Sequence, residues 1–448
     1  MTAVVITSPN RLGYIKRDKK RYTLLRERRR YPALWAKAGA VPSLDLRFAD
    51  NKSLVDAVTG ASLITFTRAS SGTYVDSAGV LQTAAIDVPR FDHNPTTGES
   101  LGLLVEEPRT NLVLRSEQFD NASWNSAAGA RTITANSVAA PDGLSTADTV
   151  TADGTSSAHF VSQSLTLAAV PYAYSVFAKA GTNNFLQLRL FNTFGGMWAN
   201  FNLATGVVGT AGVLSGAAPT SSIQSYPNGW YRCTMFFTPT AATSSVAAYI
   251  VDSASAGGGA ANSLSTSIYL WGAQLEEGAT PSSYITTTTA AAMRSADVVS
   301  ITGAAFSGWY RQDEPTMFAE YRDPGVSGSN RYPYMINDGT VNNRFGFFVS
   351  GTTTINNRHV AGSTQASPTT LNTVLNSRNR HAMAAAVGSC NAASNGTLAT
   401  ASAPASMPNV YQLTIGAFAS AQFLNAPVAR ITFWPTRLSN EVLQRITQ

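Results

Sequence analysis

Long apolar runs, cysteine and charged residues are all scarce in this sequence of 448 residues. No run of 18 or more apolar residues occurs, and no apolar core follows the charged stretch near the N-terminus, so we expect neither a membrane-spanning helix nor a secretory signal. Cys233 and Cys390 are the only two cysteines, and they lie in different segments of the chain. We therefore expect two reduced, buried thiols rather than a disulfide or a metal site.

Groups of residues that could perform catalysis are also missing. The four histidines are dispersed without the spacing of a metal site: His93, His159, His359 and His381. Two carboxylate doublets, Glu106 with Glu107 and Glu276 with Glu277, are in strand-like segments, where adjacent side chains point to opposite faces. Neither doublet can place two carboxyl groups across one sugar bond, as glycoside hydrolysis requires. The sequence thus predicts no enzyme, no catalytic residue, no metal and no cofactor.

Positive charge is concentrated at the N-terminus. The first 47 residues contain 12 Lys and Arg against 3 Asp and Glu, for a net charge of +9, so the remaining 401 residues sum to −3. Such an arm could hold nucleic acid, form an inert solvated helix, or dock onto an acidic surface of a partner protein. Aromatic and aliphatic residues interleave with the charges, which favours protein docking over nucleic-acid binding. The candidate docking residues are Tyr14, Arg17, Tyr22, Leu25, Arg28, Arg29, Tyr31 and Trp35.

The remaining sequence is typical of short strands and tight turns. Thr, Ser, Ala, Gly and Asn are abundant, only 13% of residues are charged, and apolar residues alternate in short runs between turn signals. Residues 76–79, for example, separate two such runs and predict a hairpin. We expect an all-β protein of tandem antiparallel β-sandwiches, or jelly rolls, behind a short, helical, basic arm. The predicted divisions are an arm at 1–42, a small β region or connector at 43–115, a jelly roll at 116–290 and a second sandwich at 291–448.

Four sequence segments, taken in order, resemble a known class of proteins. They are FTRASSGTYVDSAGVL, LGLLVEEPRTNLVLRSEQFDNASW, IYLWGAQLEEGATPSSYI and the closing RITFWPTRLSNEVLQ. Their order resembles bacteriophage head-spike and tail-fibre structural proteins. The middle unit is similar to a spike-fibre jelly roll of the carbohydrate-binding-module type, and the C-terminal unit to a laminin-G or concanavalin-like lectin sandwich. In the closing segment, Ser439 is a candidate N-cap for a final helix whose Val442 and Leu443 face the sheet.

The resemblance implies a protein of the virion surface, made in the cytoplasm of the host bacterium. The arm would anchor the protein to capsid, portal or tail components, and the sandwiches would bind host surface polysaccharide for adsorption. A homotrimer is the expectation for such fibres. Two alternatives remain open, namely an architectural decoration protein without a ligand and a polysaccharide depolymerase. Calcium near Asp252, Asp323 or Asp338 is conceivable by analogy with lectin-like sandwiches, although these acidic residues are not clustered.

Binding of a glycan needs an aromatic face for the sugar ring and amide or carboxylate groups for its hydroxyls. Turn-rich segments supply several such combinations. The candidate glycan-binding residues are Trp198, Asn200, Asn202, Tyr226, Asn228, Trp309, Tyr310 and Gln312. Two other tryptophans, Trp230 and Trp271, lie in strongly alternating segments, and we expect them to be core residues.

Overall fold

The computed structural model describes residues 33–124, 129–192, 195–240, 242–325, 330–360, 362–364, 367–418 and 422–448. The described part of the chain is built almost entirely of antiparallel strands in stacked sheets, which confirms the predicted fold class. Most of the basic arm lies outside the described residues. So do seven of the eight predicted docking residues: Tyr14, Arg17, Tyr22, Leu25, Arg28, Arg29 and Tyr31.

Within the described residues, the regular structure consists of four short helices and 33 strands. The helices are α1 (Ala33–Ala38), α2 (Phe48–Asn51), α3 (Gly303–Ser307) and α4 (Asn440–Thr447). The first strands are β1 (Leu44–Leu46), β2 (Thr65–Thr67), β3 (Gly72–Val75), β4 (Leu81–Ala84), β5 (Phe91–His93), β6 (Ser100–Val105) and β7 (Arg109–Asn111). The next are β8 (Arg131–Val138), β9 (Ala147–Ala152), β10 (His159–Leu167), β11 (Tyr172–Ala180), β12 (Phe185–Asn192), β13 (Gly195–Asn202), β14 (Val207–Val213), β15 (Thr220–Ser225), β16 (Trp230–Phe237), β17 (Ala242–Ile250) and β18 (Ser267–Glu277).

The remaining strands follow residue 291. They are β19 (Ala292–Arg294), β20 (Val298–Thr302), β21 (Thr316–Arg322), β22 (Arg331–Asn337), β23 (Arg344–Ser350), β24 (Thr353–Val360), β25 (Ser363–Thr364), β26 (Leu371–Asn372), β27 (Arg378–Ala386), β28 (Ser389–Ser394), β29 (Thr397–Leu398), β30 (Gln412–Ile415), β31 (Ala417–Phe418), β32 (Gln422–Phe423) and β33 (Ala426–Trp434). Single 3₁₀ turns occur at Ala122–Trp124 and Pro227–Gly229.

The larger sandwich, which we call the outer sandwich, consists of two eight-stranded sheets. One has the order β29-β28-β27-β21-β33-β6-β5, with β1 also paired to β33. The other has the order β2-β20-β30-β22-β23-β24-β25, with β26 also paired to β24. Alternate side chains from both sheets meet in one apolar core, which includes Leu103, Ile301, Tyr334, Phe347 and Ile431.

The pairing of strands in the outer sandwich crosses the predicted division of the chain. Leu44 in β1 lies opposite Phe433, Val105 in β6 lies opposite Ala426, and Phe66 in β2 lies opposite Val299. The predicted connector at 43–115 therefore contributes strands to both sheets of the C-terminal sandwich. The smaller sandwich is inserted into the outer one, because residues on both sides of it are needed to complete the same sheets.

The inserted sandwich has a five-stranded sheet, β10-β17-β12-β13-β14, and a six-stranded sheet, β15-β16-β11-β18-β9-β8. Its core is formed by alternating residues of both sheets, such as Val176, Leu188, Val246 and Leu270. Ile268, Leu270 and Leu275 of β18 point into this core. Trp230 and Trp271 are also almost fully buried, each only 1% exposed, in a second apolar cluster behind the six-stranded sheet.

The chain enters and leaves the inserted sandwich through a short pair of strands. Strands β7 and β19 are antiparallel, with Asn111 opposite Ala292 and Arg109 opposite Arg294. Asn111 also donates through Nδ2 to the carbonyl oxygens of Ala273 and Ile285, and both bonds are buried. Because two paired strands and these bonds hold the connection, the two sandwiches have a defined relative position.

The first described helix, α1, packs on the outer sandwich beside the C-terminal helix α4. Trp35 is 9% exposed, its Nε1 donates to Asp45 at 2.8 Å, and the guanidinium of Arg47 lies over its ring. Trp35, predicted as a docking residue, is therefore part of the protein's own packing. In α4, Ser439 accepts from Val442 N at 3.4 Å and Leu443 is buried, which confirms the predicted cap and the buried face.

Two further sequence predictions concern the cysteines and the hairpin. Cys233 and Cys390 are free and buried, as expected, and burial raises the pKa of the Cys233 thiol. Residues 76–79 connect β3 to β4, and the carboxylate of Asp76 accepts from the backbone of Ala78 and Val80. Among the described residues, no helix is long and apolar enough to cross a membrane.

Candidate functional site

Five buried charged residues lie where the two sandwiches meet. This ionic cluster comprises Arg68, Arg90, Glu106, Arg294 and Asp297. Asp297 accepts from Arg90 at 2.5 Å and from Arg68 at 3.1 Å, whereas Arg90 lies 2.8 Å from Glu106. Burial favours the neutral form of Glu106, but Arg294 and Arg90 outweigh it and lower the pKa of Glu106 to about 2. The cluster joins residues from both sides of the insertion.

The inserted sandwich contributes its own polar groups to this junction. Ser283 donates to Glu106 through its backbone N at 2.8 Å and through its hydroxyl at 2.7 Å. Glu276 accepts from Ser282 N at 2.8 Å and from Ser282 Oγ at 2.7 Å. These bonds anchor the segment at 279–284, which forms one wall of a large opening between the sandwiches.

That opening, the intermodule cleft, has a volume of about 790 Å³. Tyr74 of β3 and Asp92 and His93 of β5 approach it from the outer sandwich. Tyr226 and Arg232, on either side of the turn at Pro227–Gly229, approach it from the inserted sandwich. The cleft exists only because the insertion brings these two groups of strands together.

Arg232 is the charged group of the inserted sandwich in this cleft, and it is only 8% exposed. Its Nε and Nη2 donate to Ser175 Oγ at 3.2 and 3.0 Å, and its Nη1 donates to Ser282 O at 2.7 Å. Its guanidinium carbon also lies 5.5 Å from the centre of the Phe177 ring. Within the described residues, Arg232 forms no ion pair with a carboxylate, so its positive charge is not neutralised by a direct contact.

Asp92 and His93 lie side by side on the opposite wall. Asp92 Oδ1 accepts from Val75 N at 2.7 Å, and burial raises the pKa of its carboxyl group to about 6. His93 is buried, and its Nδ1 donates to Val75 O at 3.0 Å, which leaves Nε2 without a protein partner. In the neutral tautomer that this bond selects, Nε2 is a hydrogen-bond acceptor.

Tyr226 completes the polar lining and is the one predicted glycan-binding residue in the cleft. Its ring packs edge-on against Phe177, with ring centres 5.1 Å apart. Burial raises the pKa of its hydroxyl to about 12, so the group stays a neutral donor and acceptor at ordinary pH. A guanidinium, an imidazole, a carboxyl group and tyrosine rings together offer the mixed polar and aromatic surface that sugars require.

The structure places the other predicted glycan-binding residues outside the cleft. On the five-stranded sheet, the Trp198 indole lies against Gly212 and Gly258, and Asn200 is buried. Asn200 Nδ2 donates to Ala256 O at 2.8 Å, whereas Asn202 Oδ1 accepts backbone N–H bonds from the turn after β13. Trp198, Asn200 and Asn202 lie on one face of the sheet. Both amides form hydrogen bonds within the protein, and the loop around residue 257 lies over this face.

The remaining predictions concern a turn and the outer sandwich. Asn228 is an exposed turn residue with a φ of 60°. Trp309 is 6% exposed and packs edge-on against Phe433, and the Tyr310 ring lies 4.6 Å from that of Phe306. Gln312 donates to Pro408 O. Trp309 and Tyr310 thus belong to the core and present no open ring face.

Carboxylates considered from the sequence also have partners within the chain. Glu107 pairs with Arg109, and Asp323 pairs with buried Arg331 at 3.2 Å. No group of three or more potential metal-ligating residues occurs among the described residues. One sequence signal points to the cleft, because Arg232 interrupts the apolar strand GWYRCTMFF.

Comparison with protein-family models and with curated proteins finds no match for this chain. Several solved structures are similar over parts of it. The CBM40 module of a Ruminococcus gnavus IT-sialidase, bound to α2,3 sialyllactose, is 14% identical, with 31% of this chain and 84% of that one covered and a TM-score of 0.25. Domains LG4-5 of the mouse laminin α1 chain are 11% identical, covering 60% of this chain and 84% of that one, with a TM-score of 0.21.

A third similar structure is the NanB sialidase of Streptococcus pneumoniae. It is 11% identical, with 32% of this chain covered and a TM-score of 0.27. The match covers 26% of the sialidase chain, so it spans about a quarter of that enzyme's length.

Proposed function

We propose that this protein is a non-enzymatic, glycan-binding component of a bacteriophage surface, either a tail fibre or a head spike. The observation that carries glycan binding is the intermodule cleft. It places a guanidinium, an imidazole, a carboxyl group and a tyrosine hydroxyl beside tyrosine rings. Its volume of about 790 Å³ is sufficient for several sugar units. The order of the four sequence segments described above supports the assignment to a virion.

A rigid junction suits this function. The ionic cluster and the paired strands β7 and β19 fix the two walls of the cleft relative to each other. Binding in a cleft whose walls are already in place avoids most of the cost of ordering them. We propose that the ligand is host surface polysaccharide and that the protein acts as a homotrimer during adsorption.

The basic arm is proposed to attach the protein to capsid, portal or tail components. Helix α1 folds onto the outer sandwich, so the attachment element is the segment that precedes residue 33. Deletion of residues 1–32 should leave a folded protein that still binds glycan but is not incorporated into particles. Normal copy number of this truncated protein in purified virions would refute the attachment role.

Glycan binding is tested with an array of bacterial surface polysaccharides and the purified full-length chain. Replacement of Tyr74, which lines the cleft, with alanine should weaken binding about tenfold, equivalent to roughly 1.4 kcal/mol. The matched control is Tyr411→Ala, because Tyr411 is 57% exposed on the outer sandwich and does not line the cleft. Equal binding by both variants would show that the cleft is not the site.

The same material distinguishes the two alternatives. A decoration protein would bind no polysaccharide on the array, and phage without it would adsorb normally. A depolymerase would release reducing ends from a bound polysaccharide over time. We expect saturable binding with no release of reducing ends.

A further inference from the structure

We propose that the intermodule cleft recognises the carboxylate of an acidic sugar, such as a uronic or ulosonic acid, and that Arg232 is its partner. This inference rests on the proposed glycan binding and specifies its chemistry. It derives from the charge balance at the junction, where one buried arginine differs from the others.

The other buried arginines near the cleft have carboxylate partners. Arg68 and Arg90 contact Asp297, while Arg90 and Arg294 contact Glu106. Arg232 is also buried, at 8% exposed, yet the oxygens that it contacts belong to a hydroxyl and a backbone carbonyl. A buried cation without a counter-ion is unfavourable, and the contact with the Phe177 ring offsets only part of that cost. An anionic ligand beside Arg232 would offset the remaining cost of burying its charge.

The hydrogen bonds of Arg232 leave suitable donors for a carboxylate. A guanidinium has five N–H groups, and Nε, one N–H of Nη1 and one of Nη2 are used by Ser175 and Ser282. The second N–H on each terminal nitrogen is left for a ligand. Guanidinium and carboxylate groups pair with high geometric specificity, through two parallel hydrogen bonds.

The other groups that line the cleft favour a sugar as the carrier of that carboxylate. His93 Nε2 is buried, lacks a protein partner and is an acceptor, so it can receive a hydrogen bond from a sugar hydroxyl. Tyr226 supplies a hydroxyl, and Tyr74 is a partly exposed ring that a sugar face can cover. A small inorganic anion would satisfy Arg232 but would leave these groups unused.

The test compares acidic oligosaccharides with the same compounds after chemical reduction of the carboxyl groups to alcohols. Hexamers of galacturonate, hyaluronan and α2,8-linked sialic acid serve as probes, with binding to the full-length protein measured by calorimetry. At least one native hexamer should bind tenfold or more tightly than its carboxyl-reduced form. Arg232→Gln should abolish this difference, and Arg232→Lys should retain part of it. Arg311→Gln, at an exposed arginine on the outer sandwich, is the control and should bind as the unmodified protein does.

The outcomes separate this inference from the proposed function. If native and reduced hexamers bind equally, or if only neutral glycans on the array bind, recognition of a carboxylate is refuted while glycan binding stands. If no saccharide of either kind binds, the proposed function fails as well. Should Arg232→Gln fold poorly, the comparison of native and reduced ligands on the unmodified protein still decides.

Discussion

The guanidinium of Arg90 and the carboxylate of Asp297 lie 2.5 Å apart, both side chains are fully buried, and 207 residues separate them in the chain. Arg90 precedes the inserted sandwich and Asp297 follows it. This contact therefore closes the outer sandwich around the insertion. It also supports the wall of the intermodule cleft, because Arg90 Nη1 donates to Thr73 O, next to Tyr74.

Loss of the Asp297 carboxylate should strongly destabilise the protein. Asp297→Asn leaves Arg68 and Arg90 buried with one fewer counter-ion, and we expect the free energy of unfolding to fall by about 3–5 kcal/mol. Equilibrium urea unfolding measures this change. Asp313→Asn is the control, because its pair with Arg311 is more than half exposed, and the free energy of unfolding should stay nearly unchanged. Similar losses in both variants would contradict the structural role of the cluster.

Stability should fall in acid through Glu106. Arg294 and Arg90 lower its pKa from 4.5 to about 2, so its stabilising contribution is fully present above pH 4.5 and is lost as the pH falls towards 2. The shift corresponds to about 3 kcal/mol. The melting temperature, measured between pH 2 and pH 5, should decline more steeply for the unmodified protein than for Glu106→Gln. Parallel curves would mean that the carboxylate is not held by these arginines.

Binding of an acidic oligosaccharide should strengthen as the pH falls from 7 to 5. Asp92 has a pKa of about 6, raised mainly by burial, with Glu106 raising it further and the Val75 backbone and Arg90 opposing. Its protonation removes a negative charge from the cleft that holds Arg232, His93 and Tyr226. We expect several-fold tighter binding at pH 5, and a weaker pH dependence in Asp92→Asn. The opposite trend in the unmodified protein would place the ligand elsewhere.

The raised pKa of Asp92 also makes the stability of the protein depend on pH. Folded Asp92 holds its proton to a higher pH than the unfolded chain does, so its contribution to stability is fully present below about pH 4. It is lost as the pH rises to about 6. Asp92→Asn should therefore flatten the fall in melting temperature across that interval. An unchanged slope would show that Asp92 titrates normally.

Two adjacent glycines should differ sharply in their tolerance of alanine. A Cβ at Gly258 would come 2.5 Å from Cε3 of Trp198, whereas one at Gly257 would meet nothing within 4 Å. Gly258→Ala should destabilise the inserted sandwich by about 1–3 kcal/mol and shift the tryptophan emission, while Gly257→Ala should do neither. Thermal unfolding monitored by fluorescence tests both, and indistinguishable variants would mean that the loop does not cover Trp198.

The boundary of the arm can be tested by truncation. Removal of residues 1–32 should leave the melting temperature unchanged, whereas removal of residues 1–42 also removes the buried Leu34 and Trp35 and should cost about 3–5 kcal/mol. Calorimetry of the two truncated proteins measures the difference. Equal melting temperatures would show that α1 contributes little to the fold.

Several features of the fold were predictable because their cause is local. Alternation of apolar residues in short runs predicted a chain of short strands, of which Tyr172–Ala180 is one, and it predicted the burial of Trp230 and Trp271. The turn residues at 76–79 predicted the β3–β4 hairpin, and Ser439 predicted the start of α4. Each of these patterns is contained within a dozen residues, so the sequence alone displays it.

The cleft could be predicted only in part. Tyr226, a candidate because a tyrosine near turn amides suits a sugar, lines the cleft, but Trp309 satisfied the same rule and lies in the core. A ring beside polar residues in sequence does not show which face of a sheet it occupies or what covers it. Asp92, His93 and Arg232 were missed since no local pattern brings them together.

By itself, the sequence determined that the chain is β-rich, that its net positive charge comes from the arm, and that its cysteines remain free. The tertiary structure decided that one sandwich is inserted into the other, because β1 and β6 find their partner in β33, more than 300 residues later. It also decided which arginines are neutralised. Asp297 reaches Arg68 across 229 residues, whereas no described carboxylate pairs with Arg232. Strand formation follows from local alternation, but the balance of buried charge depends on contacts between segments far apart in the chain.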